Sequence, residues 1–175
     1  GRIMASLLFE RPEPLSEAHR ELIHNFQCGE RSLDLWLRSH AFPNEARGGS
    51  RTFMVRSTLT GELAGYFCLS THSVVRSDFR AKFKRDMPDP IPAVLLGRLA
   101  VATQFQNHGL GESMLHEAIR KSKRIAEELG AAVLIVHPVS ERASLFYRKH
   151  GFSNTKNENP MLFIDLHDPT LMALT

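Results

Sequence analysis

The stretch Leu95 to Gly111, LLGRLAVATQFQNHGLG, leaves this chain few folds to choose from. An apolar run, Val94 to Leu96 and then Leu99, Ala100 and Val101, reads as a buried strand. It breaks within a few residues into the turn Gln106-Asn107-His108-Gly109-Leu110-Gly111. A helix follows at once, because Leu110, Met114, Leu115, Ala118, Ile119, Ile125, Ala126 and Leu129 recur on one helical face, and Gly130 supplies a stop. A helix that starts in a glycine turn presents unpaired N–H groups and the positive end of its dipole, which suits a phosphate-bearing cofactor. The dinucleotide pattern G-x-G-x-x-G fails here, since Met114 stands at the third glycine, and the nucleotide-triphosphate pattern G-x-x-x-x-G-K-[ST] is absent. What the chain carries is Q-x-x-G-x-G.

Around this unit the chain reads in order as follows. Leu7 to Leu15, with Pro12 and Pro14, is an extended edge strand or arm. Ser16 caps a first helix to about Phe26, with Ala18, Leu22, Ile23 and Phe26 on its apolar side, and Cys28-Gly29 ends it. Ser32 caps a second helix on which Leu33, Trp36, Leu37 and Ala41 share a face, Pro43 disturbs its tail, and Asn44 to Ser50 is a polar loop free to move. The single tryptophan, Trp36, is read as a core residue. From Arg51 the period becomes two, and Thr60-Gly61 turns a hairpin into a second strand at Leu63 to Leu69. Three prolines between Met87 and Pro92 forbid regular helix and deliver the chain, extended, into the central strand. Ala131 to Val136 is a buried strand parallel to the central one. Ser140 caps a last helix that Gly151 terminates, Phe152 resumes extended structure, Asn154 to Pro160 is a polar loop, and Met161 to Leu166 is a closing strand. Helices on both faces of a mixed, centrally parallel sheet follow, an α/β architecture.

Composition narrows the class further. A chain of 175 residues suits one domain, with a core over about 7–166, and 42% hydrophobic with 23% charged residues is ordinary for a globular protein. No apolar run is long enough to cross a bilayer, so no membrane role is expected. Gly1 to Ile3 do not read as a signal peptide, and a natural start at Met4 is expected. Two distant cysteines, Cys28 and Cys68, give neither a disulfide framework nor a C-x-x-C site, which points to a reducing cytoplasm. Nine histidines form no H-E-x-x-H or Cys/His cluster, so no metal is expected. The net charge of +3 is small but uneven: Arg76, Arg80, Lys82, Lys84 and Arg85 crowd into ten residues, interleaved with Phe79 and Phe83. Two readings stand, a solvated helix face whose phenylalanines pack inward, or a phosphate-contacting patch for a polyanion such as RNA.

The turn Q-x-x-G-x-G resembles the pyrophosphate-binding signature of the GNAT acetyltransferases, which bind acetyl-CoA. The run V-x-x-x-S-x-x-A-x-x-x-Y from Val136 to Tyr147, and H-G-F at His150 to Phe152, are also features of that family. Further segments resemble, more narrowly, the GNAT toxins of bacterial type II toxin-antitoxin modules. They are C-G-E-R-S-L-D-x-W-L from Cys28, G-G-S-R-T-F from Gly48, G-Y-F-x-L-S from Gly65, and M-P-D-P-I-P-A-V-L-L-G-R-L-A-V from Met87. The resemblance covers about Glu10 to Leu166. It implies a GNAT fold of six to seven strands with a V-shaped splay between the two central parallel strands. It also implies acetylation of the free amino group of an aminoacyl-tRNA, a block on translation, a ribbon-helix-helix antitoxin, operator DNA bound only through that antitoxin, and a homodimer. Three departures stand out: Ala102 where relatives often carry an acid, Asn107 where the turn usually has glycine, and Ser140 where asparagine or aspartate commonly starts the last helix.

Moving an acetyl group from a thioester to an amine needs a held thioester, a neutral amine, a stabilised oxyanion and a proton for the departing thiolate. By the resemblance, the backbone of Gln106, Asn107, His108, Gly109, Leu110, Gly111 and Glu112 holds the pyrophosphate. Leu99, Ala100 and Val101 pair with the pantetheine arm, with Ser140 and Phe146 completing the cofactor set. Tyr147 is the candidate general acid, since a phenol ordinarily titrates near about 10 and stays protonated at neutral pH; its spacing from Ala143 alone suits a core residue equally. No strong base is evident, and an α-amino group with an ordinary pKa of about 8 needs none. Arg98 is either a strand-end residue or, with the basic segment, a contact for tRNA or cofactor phosphate. Two alternatives remain open: a GNAT enzyme acting on a protein or small-molecule amine, and a mainly non-catalytic acetyl-CoA-binding module that co-represses with an antitoxin.

Overall fold

The computed structural model describes residues 7–156 and 161–174, the side chains of 172–174 excepted; the expected start at Met4 and the stretch 157–160 of the expected loop lie outside the described residues. Strands are β1 Glu13–Pro14, β2 Arg51–Arg56, β3 Leu63–Val74, β4 Ile91–Val101, β5 Val133–Val136, β6 Ser153–Asn154 and β7 Leu162–Asp165. Helices are α1 Arg31–Ser39, α2 Ala41–Arg47, α3 Ala81–Lys84, α4 Leu110–Glu128 and α5 Glu141–Lys149. The seven strands form one mixed sheet in the order β1-β2-β3-β4-β5-β7-β6. The chain divides into two compact units, Gly1–Ser70 with Arg98–Ala118 and Thr71–Gly97 with Ile119–Thr175; β3, β4 and α4 run through both.

In the first unit, β2 and β3 make the expected hairpin, antiparallel from Arg51↔Leu69 to Arg56↔Leu63, with a bulge at Val55/Arg56. Met54, Tyr66 and Leu63 face a core that Leu15, Ile23, Phe26, Leu33, Leu37 and Ala100 complete. Each such side chain taken fully out of water contributes roughly 1.5–3 kcal/mol. The first helix is not formed. Ser16 does start a turn, but the segment folds as two 3-10 turns, Glu17–His19 and Leu22–Asn25. His19, not Ala18, is buried: Ser16 N–H donates to His19 Nδ1 (3.0 Å), and His19 Nε2 bonds Glu13 Oε1 (2.8 Å). Ile23 and Phe26, three apart, share a side as 3-10 geometry requires.

Two further expectations give way in this unit. α1 begins before Ser32, because Asp34 Oδ1 reaches back to the N–H of Cys28 (3.0 Å) and does the tying that Ser32 was expected to do. Pro43 starts a helix instead of disturbing one: it sits in the first turn of α2, where its missing N–H would have no partner, so Asn44 to Arg47 is helical and the polar loop shrinks to the residues after it.

In the second unit, β4 and β5 pair in parallel from Ala93↔Val133 to Leu96↔Val136, and β5 pairs antiparallel with β7 and β7 with β6. The β4–β5 ladder ends at Leu96↔Val136 while β4 itself continues to Val101. Val74, Phe79, Ile91, Ala93, Val133 and Ile135 form a second core cluster. The apolar face of α4 holds as far as Ile119, all of it buried, but Leu129 is exposed because the helix has ended at Glu128; Ser122 and Lys123 are buried on its last turns instead. Lys123 Nζ donates to the carbonyl of Leu171 (3.3 Å). No helix of the described residues is long and apolar enough to cross a membrane.

Candidate active site

The chain leaves β4 through Ala102, whose N–H donates to Ala64 O (2.8 Å), and a 3-10 turn at Thr103–Phe105. Thr103 N–H and hydroxyl both donate to Gln27 O (2.8 and 3.0 Å). Gln106 Nε2 donates to Cys28 O (2.9 Å) and Val101 O (3.0 Å), so this side chain braces the turn from behind. Asn107 (φ +67°) and Gly109 (φ +82°) are both left-handed. Asparagine is the side chain that tolerates that region best, which explains why it can replace the usual glycine. The N-terminus of the 19-residue helix α4 then emerges, and a helix has no internal carbonyl to pair the N–H groups of its first turn. Glu112 Oε1 lies 3.9 Å from His116 Nε2 one turn on.

Gly65 sets the depth of this cradle. A Cβ there would meet Ala100 O and Met114 Cε at 3.0 Å and Leu110 Cδ2 at 3.1 Å, so glycine lets β4 and the start of α4 lie close to β3 where a methyl group would press on them. Ala100 and Leu110 are buried while Leu99, Val101, Gly109 and Gly111 are half-buried and Asn107 and His108 exposed, so the backbone of strand end and turn is accessible. This run of accessible backbone N–H groups fits a pyrophosphate, with Glu112 the acidic side chain in the first turn of α4.

Beside the strand end, Arg98 places its guanidinium 5.1 Å from the Trp36 ring, and Trp36 stacks on Tyr66 (6.1 Å, 6°). Tyr66 hydroxyl donates to Leu33 O (2.6 Å), and burial pushes its phenol far above the ordinary range, so it is a fixed neutral platform. Trp36 is therefore half-buried, with one face on the core and the other under Arg98. Cys28, next to Gln106, has its thiol pushed up to about 12 by burial and by the neighbouring Asp34, so it is no nucleophile at neutral pH.

The remaining predicted residues belong to the second unit. Ser140 is the N-cap of α5, its Oγ accepting from Ala143 N–H (3.1 Å), so serine does the work of the more usual asparagine. Tyr147 is 8% exposed and sits edge-on between Phe146 and Phe152, with 5.3 Å between ring centroids in each pair. His150 closes the helix through its Nδ1 to Phe146 O (2.8 Å).

In the basic segment, Arg76 is partly structural: its Nη1 donates to Met87 O (3.1 Å) and its N–H to Asp89 Oδ1 (3.1 Å), which holds the proline-rich approach. Arg80, Lys82 and Arg85 are exposed and Lys84 half-buried, on and beside the single-turn helix α3. Phe79 is buried and Phe83 half-buried, so the phenylalanines pack inward and the cations face out; the two readings of this segment turn out to be compatible. The structure thus gathers Arg98 to Glu112 in one unit, and Arg76 to Arg85 with Ser140, Phe146 and Tyr147 in the other.

Residues 49–154 match the family model of the acetyltransferase (GNAT) domain. This chain belongs to the GNAT acetyltransferases. It is 33% identical, over 160 residues, to a tRNA-acetylating toxin of Mycobacterium tuberculosis, covering 91% of this chain and 94% of that protein. Among solved structures it is similar to a tyrosine-to-phenylalanine mutant of KacT (26% identity, TM-score 0.87, 96% and 99% of the two chains). It is also similar to AtaT complexed with acetyl-methionyl-tRNAfMet (26% identity, TM-score 0.84, 93% and 98%). AtaT has further been solved as AtaTR bound with acetyl-CoA and as an AtaT–AtaR complex bound to DNA.

Membership in the GNAT acetyltransferases makes acetyl-CoA the cofactor and acetyl transfer the reaction class, and the architecture of this GNAT chain is the one the motifs implied. What sequence reasoning missed is the Tyr66–Trp36–Arg98 stack. Its signal was present, an aromatic after Gly65 and a tryptophan one helical turn from Leu33, but spacing alone does not tell an aromatic that fills a core from one that carries a cation.

Proposed function

We propose that this acetyltransferase moves the acetyl group of acetyl-CoA to the α-amino group of an aminoacyl-tRNA and so blocks translation as a toxin. The observation that carries the proposal is the 33% identity to a tRNA-acetylating toxin along 91% of the chain. The outward-facing cations Arg80, Lys82, Lys84 and Arg85, with Arg76 and Arg98, are what a polyanionic acceptor needs.

Each group on the chain has a task in this reaction. Bound acetyl-CoA supplies an activated thioester. N–H groups from Gln106 to Glu112 hold the pyrophosphate at the start of α4, and the backbone of Leu99, Ala100 and Val101 aligns the pantetheine arm as an added strand. A backbone N–H near Leu99 would stabilise the charge that develops on the thioester carbonyl. Ser140, whose oxygen is already engaged as a cap, keeps a hydroxyl proton to donate to the arm, and Phe146 adds apolar cover. Tyr147 donates a proton to the departing thiolate. The incoming α-amino group, with an ordinary pKa of about 8, is neutral often enough at pH 7 to attack without a protein base, and the proton its nitrogen sheds as the amide forms passes to water.

As a toxin of this kind the protein acts as one GNAT domain in the bacterial cytoplasm, forms a homodimer, and is held inactive by a ribbon-helix-helix antitoxin that carries it to operator DNA. Purified chain incubated with labelled acetyl-CoA and either charged or deacylated bulk tRNA tests the reaction. Label should enter only the charged pool; equal labelling of both pools, or labelling of protein or small amines alone, contradicts it.

A further inference from the structure

Within the second unit a cleft of about 490 Å³ is lined by Arg80, Phe83, Arg148, Phe152, Asn154 and Phe163. Its volume falls in the range of small-molecule sites. The aromatic wall is rigid. Phe83 and Phe163 lie 5.0 Å apart, and the fully buried Phe79 braces both, at 5.1 Å from Phe83 and edge-on at 4.9 Å from Phe163. Phe83 and Phe163 are half-buried, so their rings reach the cleft. The rim is cationic: Arg80 and Arg148 are exposed, and Arg148 Nη2 donates to Asn154 Oδ1 (2.9 Å), which fixes the guanidinium while leaving further N–H donors on the same planar group. Lys82 and Arg85 extend the charge beyond Arg80, and Lys149 beyond Arg148.

We propose that this cleft binds one unpaired nucleotide of the acceptor RNA, its base against Phe83 and Phe163 and its phosphate between Arg80 and Arg148. Flat apolar faces beside guanidinium groups are the chemistry that recognises an unstacked base with its phosphate. A base inside a duplex is already stacked and paired, so the cleft selects a single-stranded end, which is where an aminoacyl-tRNA carries its amino acid. This deepens the proposed reaction and rests on it for the identity of the RNA. The string of cations on both rims favours a polyanion over an acidic peptide, whose charges are fewer and not spaced by planar rings.

The test uses the full chain and two fluorescent, uncharged RNAs: a blunt acceptor-stem duplex, and the same duplex with a four-nucleotide 3′ overhang. The overhang should tighten binding by about tenfold, the usual scale for one base stacked on an aromatic ring. Phe83→Leu, which keeps apolar volume, should lose that increment, while Phe83→Trp keeps it. Arg148→Glu should weaken overhang binding and lower its salt dependence by about one phosphate. All three variants should melt like the parent. An overhang that adds nothing, a Phe83→Leu variant that binds it like the parent, or tight Phe83-dependent binding of an acidic peptide in its place would each overturn the proposal. Because neither RNA carries an amino acid, an intact overhang increment without any acetylation of aminoacyl-tRNA would sink the proposed reaction and leave the cleft standing.

Discussion

In the turn before α4 the Gln106 side chain turns inward and leaves the backbone accessible, whereas on α5 the group proposed for chemistry is one side chain, the Tyr147 phenol. Gln106 spends its amide on Cys28 O and Val101 O, and Asn107 and Gly109 contribute left-handed backbone rather than functional groups. On α5 the backbone is ordinary helix, capped by Ser140, and Phe146 and Phe152 hold the tyrosine ring edge-on. Two ways of building a site follow. On the proposed mechanism, substitutions in the turn should change cofactor affinity through backbone shape, and substitution of Tyr147 should change the chemical step.

Tyr147→Phe carries the largest expected effect. Turnover should fall by about 10- to 1,000-fold, on the scale of a general acid, with folding and acetyl-CoA binding retained. Steady-state rates beside calorimetric acetyl-CoA affinity check it, and a folded variant with unchanged turnover removes the tyrosine from the mechanism. Reversing Arg80, Lys82 and Arg85 together to glutamate comes next. Filter binding across a salt series should show tRNA affinity down by about tenfold or more, with a shallower salt slope and unchanged acetyl-CoA affinity. Loss of both affinities would assign the segment to folding or to the cofactor.

Backbone shape is probed by two smaller changes. Gly65→Ala puts a methyl group 3.0 Å from Ala100 O and should cost about 1–3 kcal/mol in thermal unfolding, with weakened acetyl-CoA binding as the start of α4 is pushed away. Asn107→Val should cost about 1–2 kcal/mol at a left-handed position, while Asn107→Gly stays within a few tenths. If Asn107→Gly instead abolished cofactor binding, the asparagine side chain would be a ligand and the contrast between turn and α5 would fail.

Glu13 supplies a control outside both regions. The hydrogen bond from His19 does most to hold its carboxyl below the usual range; burial opposes it next, and the hydrogen bond and charge of the Arg56 guanidinium add to the lowering. A carboxyl lowered in the folded state stabilises fully above its unfolded value and loses that stabilisation as pH falls through its folded value. Glu13→Gln should therefore lower the melting temperature slightly at pH 7 and by less in acid, and leave turnover unchanged. Exposed as this carboxylate is, its share is below about 1 kcal/mol.

Periodic and punctuated segments were legible in the sequence, and residues whose role depends on a distant partner were not. The hairpin at Thr60-Gly61, the parallel pair β4 and β5, and the Ser140 cap all stand where local pattern puts them. The first helix failed because His19 is recruited by Glu13, six residues back in β1, which burial of Ala18 cannot compete with. Ser32 lost its capping role to Asp34, and Pro43 was read as an ending when its missing donor suits a beginning. Leu129 fits a helical face that the chain leaves one residue earlier. In the site, the glycine turn leading into α4 was readable, but the bracing role of Gln106 requires Cys28, 78 residues away, and the Arg98–Trp36–Tyr66 stack requires three separate elements.

The most direct measurement is the chemical position of the transferred group. Charged tRNA treated with the enzyme and acetyl-CoA, then digested with a nuclease that releases the terminal nucleoside, should yield aminoacyl-adenosine heavier by one acetyl group and resistant to amine-reactive reagents, and the Tyr147→Phe enzyme should yield very little of it. Acetyl groups found on a nucleobase, on ribose of uncharged tRNA, or only on protein would contradict transfer to the α-amino group.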